Sequence, residues 1–355
     1  MKKFNFLTML MSVAIILSLV VVGACTKEGP QGPPGKDGTN GTNGTNGEDG
    51  IDGQDGTATC AVCHDNSEEV TIKINQWGTS LHAIGGTNFE NRTTCAPCHT
   101  SQGYKEVCNK DTTATMAAVS DPANINCYTC HTIHDTYSEA DWTLRKNTPV
   151  KFWLAGTTVD FGKANTCAQC HQPRTSYAIP DVNNPDGQYV ISSSQSRFGP
   201  HYGAQSSTIT GTSYYLVGGD YSNSMHTSIE SSCVTCHMGN AIGFTAGGHS
   251  FNIYDEEEDT YVTSGCAPCH TATEADEYIR AFQPEIEALE TQLGELLATA
   301  GIYNPTTGLA VPGTYTNKVA GAYWNYKSVV SDGSMGVHNP KFVKRILEQS
   351  IASLQ

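Results

Sequence analysis

Two stretches of this chain carry a clear pattern of apolar and polar positions, one near each end. From Phe6 to Val22 the residues are mostly apolar. From Glu274 to Ala300 the apolar positions Ile279, Phe282, Ile286, Leu289, Leu293, Leu296 and Leu297 recur at the three-four spacing of one helix face. Pro284 predicts a kink in that helix, and Gly301 its end. A second helix is predicted over 320–330. Asn339-Pro340 reads as the cap and first position of a third, with Val343, Ile346, Leu347, Ser350 and Leu354 on its face. Residues 274–355 are therefore expected to form a helical hairpin packed on the region before it. That region, about 59–273, is expected to be helical with much irregular loop. Its stretch from Pro180 to Ser224 is rich in Ser, Gly, Asn and Tyr and reads as loops, with a short hairpin near Tyr214-Tyr215-Leu216-Val217.

The first apolar run reads as an export leader. Lys2 and Lys3 precede it, and Val22-Gly23-Ala24-Cys25 sets small residues before a cysteine, as a lipoprotein signal does. Residues 1–24 are then a signal peptide, and Cys25 becomes a lipidated N-terminus that anchors the protein to a membrane. The run is nearly long enough to span a membrane uncleaved, but the small residues stand where a peptidase requires them. From Gly29 to Gly56 glycine takes every third position through nine triplets, the Gly-X-Y phasing of collagen. Three wound chains would give a trimeric stalk of roughly 80 Å. With only Pro30, Pro33 and Pro34 to stiffen it, a flexible Gly-rich linker is the other reading. Either makes 25–58 a spacer.

Charge and composition narrow the classes. The formal charge is −15 over 355 residues, and loss of Lys2 and Lys3 with the leader takes it to −17. Such a chain is no nucleic-acid binder. A hydrophobic content of 38% is thin for a conventional core of this size, and a bound apolar group can supply the missing volume.

The cysteines say which group. In Cys127-Tyr128-Thr129-Cys130-His131 two thiols three residues apart can reach the two vinyl groups on one porphyrin edge. The adjoining imidazole turns under the ring to ligate iron. The arrangement recurs at Cys60-Cys63-His64, Cys95-Cys98-His99, Cys167-Cys170-His171, Cys233-Cys236-His237 and Cys266-Cys269-His270. Zinc ribbons and exported disulfides also use CxxC pairs, but neither needs a histidine after every second cysteine. Six covalent haem c groups are expected, with these six histidines as proximal ligands. The intervals between motifs, 30, 27, 35, 61 and 28 residues, leave little protein between rings and favour stacked or edge-touching haems.

Six further histidines remain, His82, His134, His201, His226, His249 and His338, and six irons each have one axial position to fill. The match predicts paired imidazoles throughout, which gives low-spin irons of low potential. His134 is expected one helical turn beyond His131, facing the same side and free to reach a second haem. Met116, Met225, Met238 and Met335 are substitutes by chemistry, although methionine more often fills gaps. Cys108 stands outside every motif and reads as a buried, inert thiol, with an intermolecular disulfide as the alternative.

From about Cys95 onward the order of motifs resembles the ammonia-forming cytochrome c nitrite reductases and related multihaem cytochromes. The Cys127 motif is followed by Asp141-Trp142-Thr143-Leu144 and then by Cys167-Ala168-Gln169-Cys170-His171. Met225-His226 precedes Cys233-Val234-Thr235-Cys236-His237-Met238, and His249 precedes Cys266-Ala267-Pro268-Cys269-His270. The long helix and Gly336-Val337-His338 close the series. The resemblance covers roughly 260 residues and implies a mostly helical fold wrapped round a haem array, with residues 59–94 outside it. In that family the catalytic haem is held by CxxCK, whereas His99 stands here. Arg174 replaces a tyrosine expected near the Cys167 motif. His201, in Gly199-Pro200-His201-Tyr202, is either a relic of the catalytic histidine or a distal ligand. With lysine and tyrosine missing, the expectation is an electron-transfer protein that works with redox proteins or an extracellular acceptor. It is expected to be a homo-oligomer, a trimer through the Gly-X-Y segment or a filament through the haem head. Its place would be the outer membrane, the cell surface or the extracellular space, with a periplasm-facing anchor as the alternative. The rival function is a reductase of nitrite, hydroxylamine or a sulfur oxyanion at one open haem.

Overall fold

The computed structural model describes residues 68–85 and 90–355. The leader, Cys25, the Gly-X-Y segment and the first motif, Cys60 to His64, lie outside the described residues. All described residues belong to one compact unit, Gln54–Gln355.

Before the tail the helices are short. They are α1 (Glu68–Thr79), α2 (Leu81–Ile84), α3 (Ala96–His99), α4 (Ser101–Val107), α5 (Cys127–Cys130), α6 (Asn165–Ala168), α7 (Gln205–Thr210) and α8 (Ser232–His237). Each of the five described motifs is a short turn. The histidine N–H closes onto the first cysteine carbonyl at His99 (3.2 Å), His131 (2.9 Å), His171 (3.0 Å) and His270 (2.9 Å), and His237 ends α8. Local chemistry sets these turns. At α5 the Asn126 side chain accepts from Tyr128 N, while Thr129 Oγ1 accepts from Asn126 N. At α3 a Cβ on Gly103 would sit 2.3 Å from Ala96 O, so only glycine lets α4 pack this closely on the motif turn.

The tail is three long helices, α9 (Ala272–Thr299), α10 (Asn317–Asp332) and α11 (Pro340–Leu354). A Thr271–Glu274 capping box starts α9, which runs on through Pro284, and Gly301 follows at φ +78°. Its predicted face is the observed one, with Ile286, Leu293 and Leu297 fully buried. These meet Ala320, Tyr323, Trp324 and Val329 of α10 and Phe342, Val343, Ile346 and Leu347 of α11 in the main core. Asn339 is not the predicted side-chain cap of α11. Its amide is used elsewhere, donating to Thr208 O, Ile209 O and Asn223 Oδ1 and accepting from Ser224 N.

The long interval also departs from expectation. No strand forms at Tyr214–Val217, because Asn325 of α10 takes both backbone groups of Tyr215: Oδ1 accepts from its N–H (2.8 Å) and Nδ2 donates to its carbonyl (2.7 Å). Those two groups of Tyr215 are then closed to a partner strand. Instead Gln188–Ile191 pairs antiparallel with Gly313–Thr316, in register Gln188 to Thr316, and joins the interval to the tail. The other strands form two-residue ribbons. Among the described residues no helix is long and apolar enough to cross a membrane.

Candidate functional site

Four of the expected distal histidines face four motif histidines. Ring centres lie 6.1 Å apart for His82 and His171, 6.1 Å for His99 and His201, 6.4 Å for His131 and His249, and 6.1 Å for His237 and His338. An imidazole nitrogen binds a first-row metal at about 2.0–2.1 Å, so two imidazoles on opposite faces of one iron have centres roughly 6.3 Å apart. The separations lie within the range of edge-on ring contacts and are also those at which two imidazoles can share a metal ion.

In four of these eight rings, His131, His171, His237 and His338, the outer nitrogen has a partner, and so has that of His226. Backbone carbonyls hold Nδ1 of His131 (Trp142 O, 2.6 Å), His226 (Val337 O, 2.7 Å) and His237 (Phe251 O, 2.8 Å). The side-chain oxygen of Gln205 lies 3.3 Å from Nδ1 of His171. A carbonyl only accepts, so Nδ1 carries the proton and Nε2 keeps its lone pair for a metal. Burial favours the neutral ring. It lowers His82 to about 4, helped by the His171 charge, and His201 to about 4, helped by Arg174. His249 also falls to about 4 through burial and then His131. His338 differs. Burial pulls it down, but the Asp332 carboxylate 2.7 Å from its Nδ1 outweighs that and holds it above its usual value.

The remaining histidines are placed less directly. His134 stacks on Tyr137 at 5.4 Å, and its Nδ1 lies 3.2 Å from the Tyr128 hydroxyl. It is not one helical turn beyond His131. The α5 helix ends at Cys130, and His134 sits in a left-handed bend at φ +65°. The buried Asp141 carboxylate shapes that bend by accepting from the backbone N–H groups of His134, Thr136 and Tyr137. His226 and His270 form no such pair among the described residues, and His270 lies edge-on to Tyr278 at 5.5 Å. Met116 and Met225 point to solvent.

The thiols cluster likewise. Cys98 meets Cys170, and Cys167 meets Cys233. Cys130 lies near Cys167 and Cys170, and Cys236 near Cys266. Cys98, Cys130, Cys167 and Cys170 are deep in the molecule yet keep accessible surface, as does His171. None of the described cysteines is in a disulfide, and Cys108 is buried.

Sequence reasoning missed the supports of these rings. Gln76, on α1, is buried and its Oε1 accepts from His249 N at 3.0 Å, beside a cavity of about 340 Å³ that Ile72, Met238 and His249 help to line. Arg145 donates to His131 O at 2.8 Å. Carboxamides and carbonyls carry no motif, so only Asp141 and Trp142 were marked beforehand, through the resemblance.

Paired imidazoles beside paired thiols, held on single turns and backed by three helices, define a cytochrome-like fold. The solved structure most informative here is that of the outer cell wall cytochrome OcwA. It matches at a TM-score of 0.53 and 20% identity over 80% of this chain and 50% of that one, so this chain spans about half of that neighbour's length. No protein-family model matches, and no curated protein matches.

Proposed function

We propose that this chain is a hexahaem c-type cytochrome that conducts electrons at or outside the cell envelope. The observation that carries the reading is the set of four imidazole pairs at 6.1–6.4 Å. Haem c, when bound, supplies a one-electron iron couple and much of the missing apolar volume. The twelve motif cysteines hold it, counting Cys60 and Cys63. His99 with His201, His131 with His249, His171 with His82 and His237 with His338 close four irons. His64, His270, His134 and His226 serve the other two.

The thiol contacts support an order in space. The Cys95 site neighbours the Cys167 site, which neighbours the Cys233 site, which neighbours the Cys266 site, and the Cys127 site flanks the Cys167 site. The segment outside the nitrite-reductase resemblance joins this array, because His82 and Gln76 reach from it to His171 and His249. A reductase at the Cys95 site is the weaker reading, since His201 stands where an open face would have to be. The similarity to an outer cell wall cytochrome supports a cell-surface or extracellular place. Cys25 would anchor the chain, and further copies would join through the Gly-X-Y segment or the haem head.

Carbon monoxide added to the reduced protein tests the function, with haems counted by intact mass. Six haems and no carbon monoxide bound is the expected result. One molecule bound per chain would show an open haem and favour the reductase.

A further inference from the structure

We propose that Asp332 is a positioning residue that sets the site of His237 and His338 to the lowest potential among the described sites. The inference rests on the ligation proposed above. His338 has a carboxylate on its Nδ1, whereas His131, His226 and His237 meet neutral backbone carbonyls and His171 a side-chain amide. The Asp332 side chain has no exposed surface. Its second oxygen accepts from Ser334 Oγ, and the α10 backbone fixes its position at the end of that helix.

A full negative charge on the outer nitrogen draws the proton toward the carboxylate and makes Nε2 a stronger donor to a metal. Ferric iron carries one more positive charge than ferrous iron, so the stronger donor favours the ferric state. Burial keeps water from screening the effect. The redox step is one electron onto iron, supplied in the test by an electrode held at a set potential. By the thiol contacts this site lies between the Cys167 and Cys266 sites. A low potential there places a step inside the array, and electrons rest on either side of it.

Asp332→Asn keeps the shape and an acceptor oxygen but removes the charge. In a spectroelectrochemical titration of the full haem-loaded protein, one haem should become about tenfold more reduced at a fixed potential, which is 59 mV for a one-electron couple. The other haems should stay in place. Ser334→Ala removes the hydroxyl that competes for the carboxylate and should move the same haem the opposite way by less. An unchanged titration of a correctly loaded Asp332→Asn protein overturns the proposal. Should that variant not fold, no shift or an upward shift in Ser334→Ala overturns it equally. His338→Met separates the two levels. If every haem keeps its paired-imidazole electron paramagnetic resonance signal, the ligation reading has failed. If one haem changes, ligation stands and the Asp332 result is judged on its own.

Discussion

The three tail helices and the region before them are held together by different means. In the tail, Ile286, Leu293, Leu297, Trp324, Val343, Ile346 and Leu347 are fully buried and interlock. Each such side chain contributes about 1.5–3 kcal/mol by leaving water. Between residues 90 and 270 the second apolar cluster is small, centred on Val150, Phe152, Phe161 and Ile209. Order there comes from single turns, from the bend that Asp141 holds, and from contacts such as Gly103 on Ala96. A region built to wrap an apolar prosthetic group carries ligands and turn-makers where another would carry a core.

The largest effect should follow from making the chain without covalent haem. The head would lose the apolar volume its thiols and imidazoles surround, and metal or cofactor binding is then inseparable from folding. Limited proteolysis is expected to cut the haem-free chain at many places between residues 90 and 270, while the helices from 272 to 354 resist longer. Equal protection of both regions would erase the contrast.

A smaller break comes from the tail side. Leu293→Ala leaves a cavity among fully buried neighbours and should cost about 2–5 kcal/mol in denaturant unfolding. The low-spin haem spectrum below the transition should not change, because Leu293 touches none of the paired histidines. A changed spectrum at low denaturant would mean that the tail core sets ligation directly.

The same contrast explains what could be read from the sequence. The face of α9 was legible because a three-four period is a direct print of a helix packed on one side. The motif turns were legible because covalent attachment fixes residue types at fixed spacing. What stayed hidden was made by non-periodic polar contacts. Asn325 cancels a hairpin by taking both backbone groups of Tyr215, and Asn339 bridges α7 and the 223–224 segment when its position suggested a cap. Which histidine meets which was beyond spacing altogether, since His82 reaches His171 across 88 intervening positions. Cys25, the Gly-X-Y segment and the first motif lie outside the described residues, and the structure leaves those expectations where the sequence put them.

The finest test uses a single carboxyl in the tail. Glu290 of α9 is partly buried, and burial, then the charges of Glu287 and Asp332, raise it from 4.5 to about 7. The folded chain therefore holds a proton in the window from 4.5 to 7 that the unfolded chain has released. Stability from this group is full below 4.5 and is lost as pH rises through 7. Glu290→Gln should remove that slope, matching the parent protein at pH 4.5 and exceeding it above pH 7 by on the order of 1 kcal/mol, allowing for solvent screening. Far-ultraviolet circular dichroism should report the change, and haem absorbance is the second readout, because Asp332, one of the charges acting on Glu290, also holds His338. A Soret band that moves with the same midpoint would show that the two regions share one titration.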